Sequence, residues 1–242
     1  MKYNSFYQVT NIFEKRAKRL AGCESWLHKA KNSKGTSWEQ YDKILLTRLD
    51  AIISIMPDSE RDNLTRKFSD IIPSGSPGWN EEYDKQFWEV LVEVPGYGWL
   101  NNRFPSYRVN FEEPDLVVRD NKLKLVATMA CKRIRTSDAN EQFFKRQKET
   151  GEVVCKEVDI RVLNSNPAEN PFLNKLTQTL SLAKTQLNRV NSKTKFIFLS
   201  ISWDVSAAIS KQKTTVVELI KKEASNLSKS GITEVDPILR TG

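Results

Sequence analysis

Asp115 and Lys132 are the residues of this chain whose types and spacing could carry out a reaction. They bound the stretch "PDLVVRDNKLKLVATMACK", in which Pro114-Asp115 opens one strand-like run and Ala130-Cys131-Lys132 closes the next. Asp120-Asn121 supplies a turn between the runs, so a hairpin would bring residues 130 to 132 back alongside Asp115. Hydrolysis of a phosphodiester in neutral water needs a cation to neutralise developing charge and a positioned water to attack in line. Magnesium, or manganese in its place, suits that task because it binds carboxylate oxygens, keeps several waters and needs only one or two protein carboxylates. Alternation along a strand puts residues 130 and 132 on one face and Cys131 on the other. Lys132 would then project toward Asp115, where an ammonium can orient or help deprotonate a water, and Cys131 could offer the metal its backbone carbonyl. Position 130, on the same face as Lys132, holds Ala130, whose side chain offers a metal no ligand atom.

The elements that must position these residues can be read from hydrophobic spacing. From Tyr3 to Ile72 the pattern is helical: Phe6, Val9, Phe13, Leu20 and Leu27 form one broad apolar face, and Tyr41, Leu45, Leu49, Ile52 and Met56 form another, with Ser37 as a candidate N-cap. Leu64, Phe68 and Ile71 lie on one side of a shorter helix that Asp58 or Ser59 could cap. The stretch "PSGSPGW", 73 to 79, cannot continue a helix, and the expected boundary falls there, between an N-terminal helical region over 1–72 and a second domain over 79–242.

The second domain reads as mixed α/β. Tyr83, Phe87, Val90, Leu91 and Val94 predict a helix ended by Pro95-Gly96. "SYRVNF", "DLVVRD" and "KLKLVATMACK" predict strands, and "VVCKEVDIRVL" a further one after the polar stretch that begins at Thr136. Pro171, Leu173, Leu176, Leu180, Ala183 and Leu187 mark an amphipathic helix. "KFIFLSISWD" has the unbroken apolar character of a strand buried on both faces, and "TTVVELIKKEASNLSKSG" predicts a last helix stopping at Gly231.

Composition narrows the chemistry. With 242 residues, 38 Lys plus Arg against 30 Asp plus Glu, and a net charge of +8, the chain favours a polyanionic partner through its long-range field. The basic cluster Lys15, Arg16, Lys18 and Arg19 is a candidate phosphate contact, with a solvated helix face as the plainer alternative. Three scattered cysteines, Cys23, Cys131 and Cys155, argue against a disulfide framework, so the expected setting is a reducing cytoplasm. His28 is the sole histidine, which excludes histidine-rich zinc sites and leaves a Ser-His-Asp triad almost no material. No apolar run approaches the ~20 residues of a membrane span, so no membrane partner is expected.

The pair Pro114-Asp115 and Ala130-Cys131-Lys132 resembles the PD-(D/E)xK nuclease superfamily, in which Pro-Asp is followed on the next strand by Glu or Asp, any residue, then Lys. The helix "QFWEVLVEV" before the strands resembles the opening helix of these folds, and Glu89 matches the glutamate that often points at the site. The helix "LSLAKTQL" resembles the one after the motif, and Gln186 matches its phosphate-side glutamine. The resemblance covers roughly 79–242 and implies a restriction-endonuclease-like mixed β-sheet flanked by helices. It implies a magnesium-dependent DNA endonuclease, of restriction or defence type, with Asp115 and Glu89 serving the metal. Arg133 and Arg135 would lie along the DNA backbone, and cutting both strands would suit a homodimer.

Ala130 departs from the superfamily pattern and removes a ligand. Two explanations fit: a glutamate replaced so that substrate is held without being cut, or a natural non-catalytic DNA-binding protein on a nuclease-like fold. Plainer readings stand beside both. Asp115 could be a turn residue, Lys132-Arg133 an edge-strand guard, Glu89 a solvated charge, and the tryptophans core.

Overall fold

The structure is a computed structural model that describes residues 3–20, 25–31, 39–134, 171–203, 218, 220–222, 225–226 and 234–241. Ser37, the candidate strand 153–163, Arg135, Cys23, Cys155 and most of the expected last helix lie outside the described residues. The fold is α/β, with an open mixed sheet and helices that include an N-terminal set. The chain forms two compact units, Met1–Val126 and Ala127–Gly242.

The first unit opens with α1 (Asn4–Lys18), α2 (Trp26–Lys31), α3 (Glu39–Ser54) and α4 (Asp58–Asp70). Phe6, Val9 and Phe13 of α1 are buried, as their spacing predicts, and so are Leu45, Leu49 and Met56 from α3 and its end, and Leu64 and Phe68 of α4. Helix α1 packs on α3 and α4. Its first turn needs acceptors for free N–H groups. Tyr3, the N-cap residue, makes no side-chain cap, and Asp50 of α3 supplies the acceptor instead, taking the Phe6 N–H at 2.8 Å. Helix α4 likewise starts without a side-chain cap: Pro57 is the N-cap residue and Asp58 lies inside the first turn, where its charge meets the positive helix end.

Helix α5 (Glu81–Arg103) corrects the expected break at Pro95-Gly96. The helix runs through Pro95 although proline lacks the N–H and crowds the preceding turn. Residues 91–98 are all buried, so packing on every side outweighs that local penalty. Gly98 allows part of this packing: a Cβ there would stand 3.0 Å from Ile52 Cδ1 of α3. The rings of Phe13, Phe68 and Phe87 join α1, α4 and α5, with centroids 4.5 Å apart for Phe13–Phe87 and 5.0 Å for Phe68–Phe87. That aromatic core spans the segment at 73–79, so α4 and α5 belong to one unit despite the proline and glycine punctuation between them.

Strands β1 (Arg108–Asn110) and β2 (Leu116–Arg119) pair antiparallel, Val109 opposite Val118. Asp120 then makes the expected turn. Its Oδ1 accepts the N–H groups of Lys122 and Lys124, both at 2.8 Å, and its own N–H donates to the Lys124 carbonyl. Leu123 takes the left-handed conformation, φ 61°, that this closure requires of it.

In the second unit β3 (Leu125–Ile134), β4 (Thr194–Trp203) and β5 (Glu234–Thr241) run parallel, with Ala130 opposite Ile197 and Lys132 opposite Leu199. Phe196 to Ser200 of β4 are buried without a break, as a strand flanked on both sides should be. Helix α6 (Pro171–Asn188) turns Leu176, Leu180, Ala183 and Leu187 inward. The strand β5 has no counterpart in the hydrophobic pattern, because Pro237 interrupts it. It is paired with β4 alone among the described residues, an edge position where a missing N–H is tolerated.

Two predictions test the packing of the first unit. Arg16 donates from Nη1 to the carbonyls of Ser69 and Ile72, the latter at 2.8 Å, and so terminates α4. Arg16→Ala should lower stability by about 1.5–3 kcal/mol, the range for hydrogen bonds made by a charged group, in a urea titration. Burial first, and then the charge of Glu60, push the Tyr97 hydroxyl up to about 12. An acid whose pKa is raised on folding stabilises fully below its unfolded pKa near 10 and loses that contribution as pH rises toward 12. Unfolding free energy should therefore drop by ~2–3 kcal/mol across that window, and Tyr97→Phe should remove this part of the fall.

Candidate active site

The approach to Asp115 is clamped from several sides within the first unit. Phe111 donates its N–H to Glu60 Oε2 at 2.8 Å and stacks on Tyr97 with centroids 5.4 Å apart. Glu112 accepts from Arg119 Nη2 at 2.6 Å and Nε at 3.3 Å, a two-pronged pair that raises the Arg119 pKa chiefly through the hydrogen bond. Arg119 also donates to the Leu123 carbonyl at 3.1 Å, so one side chain ties the turn to the segment entering β2. The Glu113–Pro114 peptide is cis, Pro114 is buried, and Asp115 is half-buried just before the first residue of β2.

Glu89, the expected helper of the metal, lies on the exposed side of α5. The carboxylate that α5 turns inward is Glu93, which is buried and accepts from Lys67 Nζ at 2.6 Å. Beside it Glu60, also buried, accepts from Asn110 Nδ2 at 2.9 Å and from Phe111 N–H. Reading one face of α5 points to Glu89 and misses Glu93. The available signal was the continuous apolar run after Glu89: a helix buried all round must bury its remaining charge, and a buried charge needs a partner.

The basic cluster on α1 divides by role. Arg16, a candidate phosphate contact, donates its guanidinium to the carbonyls that end α4. Lys18 pairs with Glu14 at 3.3 Å, while Lys15 and Arg19 are exposed. His28 is half-exposed on α2, whose start is capped by Ser25 Oγ accepting the His28 N–H at 3.3 Å.

In the second unit, strand alternation sets Thr128, Ala130, Lys132 and Ile134 on one face of β3. Ala130 and Ile134 are fully buried among Leu176, Leu180, Ala183 and Leu187 of α6 and Ile197 and Leu199 of β4. Lys132 and Arg133 are half-buried, and Cys131, on the opposite face, is buried. Helix α6 ends six residues before β4 starts, so its last turn returns to the level at which Thr194 to Ile197 pair with Ala127 to Ala130. Gln186 stands in that turn. Its Oε1 and the Thr128 Oγ1 are both buried and have no hydrogen-bond partner among the described residues. Native structures seldom leave such atoms unpaired unless water or a ligand completes them.

This arrangement does not fit magnesium as the residues stand. The cation takes anionic oxygens, and the Ala130 face of β3 with the helix over it presents neutral oxygens, an ammonium and hydrocarbon. Among the described residues no three His, Cys, Asp or Glu side chains gather as metal ligands would. Of the residues expected at the site, Asp115 and Glu89 belong to the first unit, and Ala130, Cys131, Lys132, Arg133 and Gln186 to the second.

No family model, no curated protein and no solved structure matches the chain.

The packing of Ala130 yields a prediction that needs no activity. Ala130→Glu places a carboxyl in hydrocarbon, which should lower stability at pH 8 by roughly 3 kcal/mol or more. A carboxyl whose pKa is raised on folding stabilises fully only below its unfolded value, so the loss should be smaller at pH 4 and grow as pH rises. Added magnesium should restore part of the melting temperature at pH 8, as a ligand of the folded state does. An unchanged melting temperature with no response to magnesium would show that position 130 is not a desolvated place where a cation could bind.

Proposed function

We propose that this chain has the architecture of a magnesium-dependent DNA endonuclease of restriction or defence type, and that as it stands it holds DNA without cutting it. The observation that supports this reading most is the burial of Ala130 beneath α6, at the sequence position where the resemblance expects the second acidic ligand. Without that carboxylate the ligand set is incomplete. Lys132, on the same face and half-buried, keeps the sign of charge a phosphate requires. Removing a negative charge that would face phosphates favours retention of the nucleic acid. In this reading Lys132 would balance charge on the phosphate, Gln186 would steady the phosphate side, and Arg133 would meet the backbone. Cleavage of both strands would suit two copies of the chain acting together.

A second reading, a non-catalytic DNA-binding protein on the same scaffold, draws on the same packing. Ala130 sits in an unbroken apolar cluster, as it would if the site had closed over after losing its chemistry.

Plasmid incubated with magnesium separates the two. The endonuclease reading expects no cleavage by the chain itself, cleavage by Ala130→Glu, and loss of that activity on adding Asp115→Asn, Lys132→Ala or a chelator. An Ala130→Glu protein that is folded and retains DNA but leaves the plasmid intact supports the non-catalytic reading.

A further inference from the structure

Helix α1 is divided lengthwise into two chemically different faces. At 100° per residue, Phe6, Val9, Phe13 and Ala17 face the core, while Asn4, Gln8, Asn11, Lys15, Lys18 and the C-cap residue Arg19 fall within an opposite arc about 100° wide. All six are exposed. The arc runs about 22 Å along the axis. It contains amides along its first two turns, cations at its end and no carboxylate. Glu14, the one acid of α1, lies at the margin and is paired with Lys18.

Two features separate this face from an ordinary solvated one. Cations at a helix C-terminus are favoured by the macrodipole, which accounts for Lys15, Lys18 and Arg19 but not for three amides in line with them. The side chains of Asn4, Gln8, Asn11, Lys15 and Arg19 make no hydrogen bond or ion pair among the described residues, and two acids that touch α1 are engaged elsewhere on it: Asp50 caps its first turn and Glu14 holds Lys18. The donors and acceptors of these five side chains therefore face solvent, where a partner could meet them. Amide side chains match the adenine edge with paired donor and acceptor atoms, and lysine or arginine matches phosphate oxygens or the guanine edge. A helix of this diameter enters the major groove of B-form DNA.

We propose that the exposed face of α1 is a duplex-DNA recognition surface, with Asn4, Gln8 and Asn11 reading base edges in the major groove and Lys15, Lys18 and Arg19 holding the backbone. This rests on the DNA-binding part of the function proposed above and not on cleavage. The net charge of +8 supplies the long-range attraction, and α1 supplies sequence preference.

The test uses the full chain, selection from a random-sequence duplex pool, and anisotropy titrations across salt concentration. The parent protein should select a preferred sequence. Lys15→Gln with Arg19→Gln should weaken binding to all sequences by about eightfold per lost contact at 0.1 M salt and flatten the salt slope by about 0.9 for each. Gln8→Ala with Asn11→Ala should leave the salt slope unchanged and abolish roughly tenfold or more of the sequence preference. The replaced side chains are exposed and make no hydrogen bond or ion pair among the described residues, so melting temperatures should stay within a few degrees of the parent, the loss of two cations at the helix end being the expected cost.

The inference is overturned if both pairs bind as the parent does, if the parent selects no sequence, or if single-stranded RNA or anionic vesicles bind in preference to duplex. Cleavage by Ala130→Glu with the α1 pairs behaving like the parent would sink this inference alone. Selective binding through α1 with no cleavage by Ala130→Glu would sink the endonuclease reading alone.

Discussion

A strand shows each face only every second residue, and β3 divides one face between hydrocarbon packing and a charged side chain. Ala130 and Ile134 on that face fill the space beneath Leu176, Leu180, Ala183 and Leu187, while Lys132 between them stays half-buried and carries charge. The small side chain at position 130 is what lets α6 lie over the strand as hydrocarbon on hydrocarbon. A carboxylate in the same place would need a cation or a hydrogen-bonding partner to offset its desolvation. The packing of the second unit thus depends on the size and charge of one residue.

The first unit meets a similar problem with charge instead of volume. Helix α5 is buried all round across residues 91–98, so Glu93 is largely shielded from water, and Lys67 pairs with it. Glu60 satisfies Asn110 and the Phe111 N–H, which fixes the chain as it turns toward Pro114 and Asp115. Arg119 closes the other side through Glu112. The segment carrying Asp115 is therefore held by buried acceptors and an aromatic stack, the kind of support a loop needs if a carboxylate is to keep one position.

The basic cluster at the end of α1 shows how neighbouring residues of one type acquire different work. Arg16 lies on the flank of the helix and terminates α4, Lys18 answers Glu14, and Lys15 and Arg19 stay available on the exposed arc. Spacing around the helix separates them. Composition cannot, because the four residues are chemically alike.

Periodicity alone located most helices, the Asp120 turn, the strand carrying Ala130 and Lys132, and the unbroken apolar run of β4, because these follow from local spacing and short-range hydrogen bonding. It also showed that position 130 lacks an acidic side chain. Tertiary structure decided what local rules could not. Packing around residues 91–98 carried α5 past Pro95, an edge position admitted Pro237 into β5, and the Phe13, Phe68 and Phe87 rings joined helices across the 73–79 break. The choice of Glu93 over Glu89 for burial, and of Arg16 for capping, depended likewise on partners distant in sequence. A buried polar group is recognisable only once the partner that satisfies it is known, and the fold alone supplies that partner.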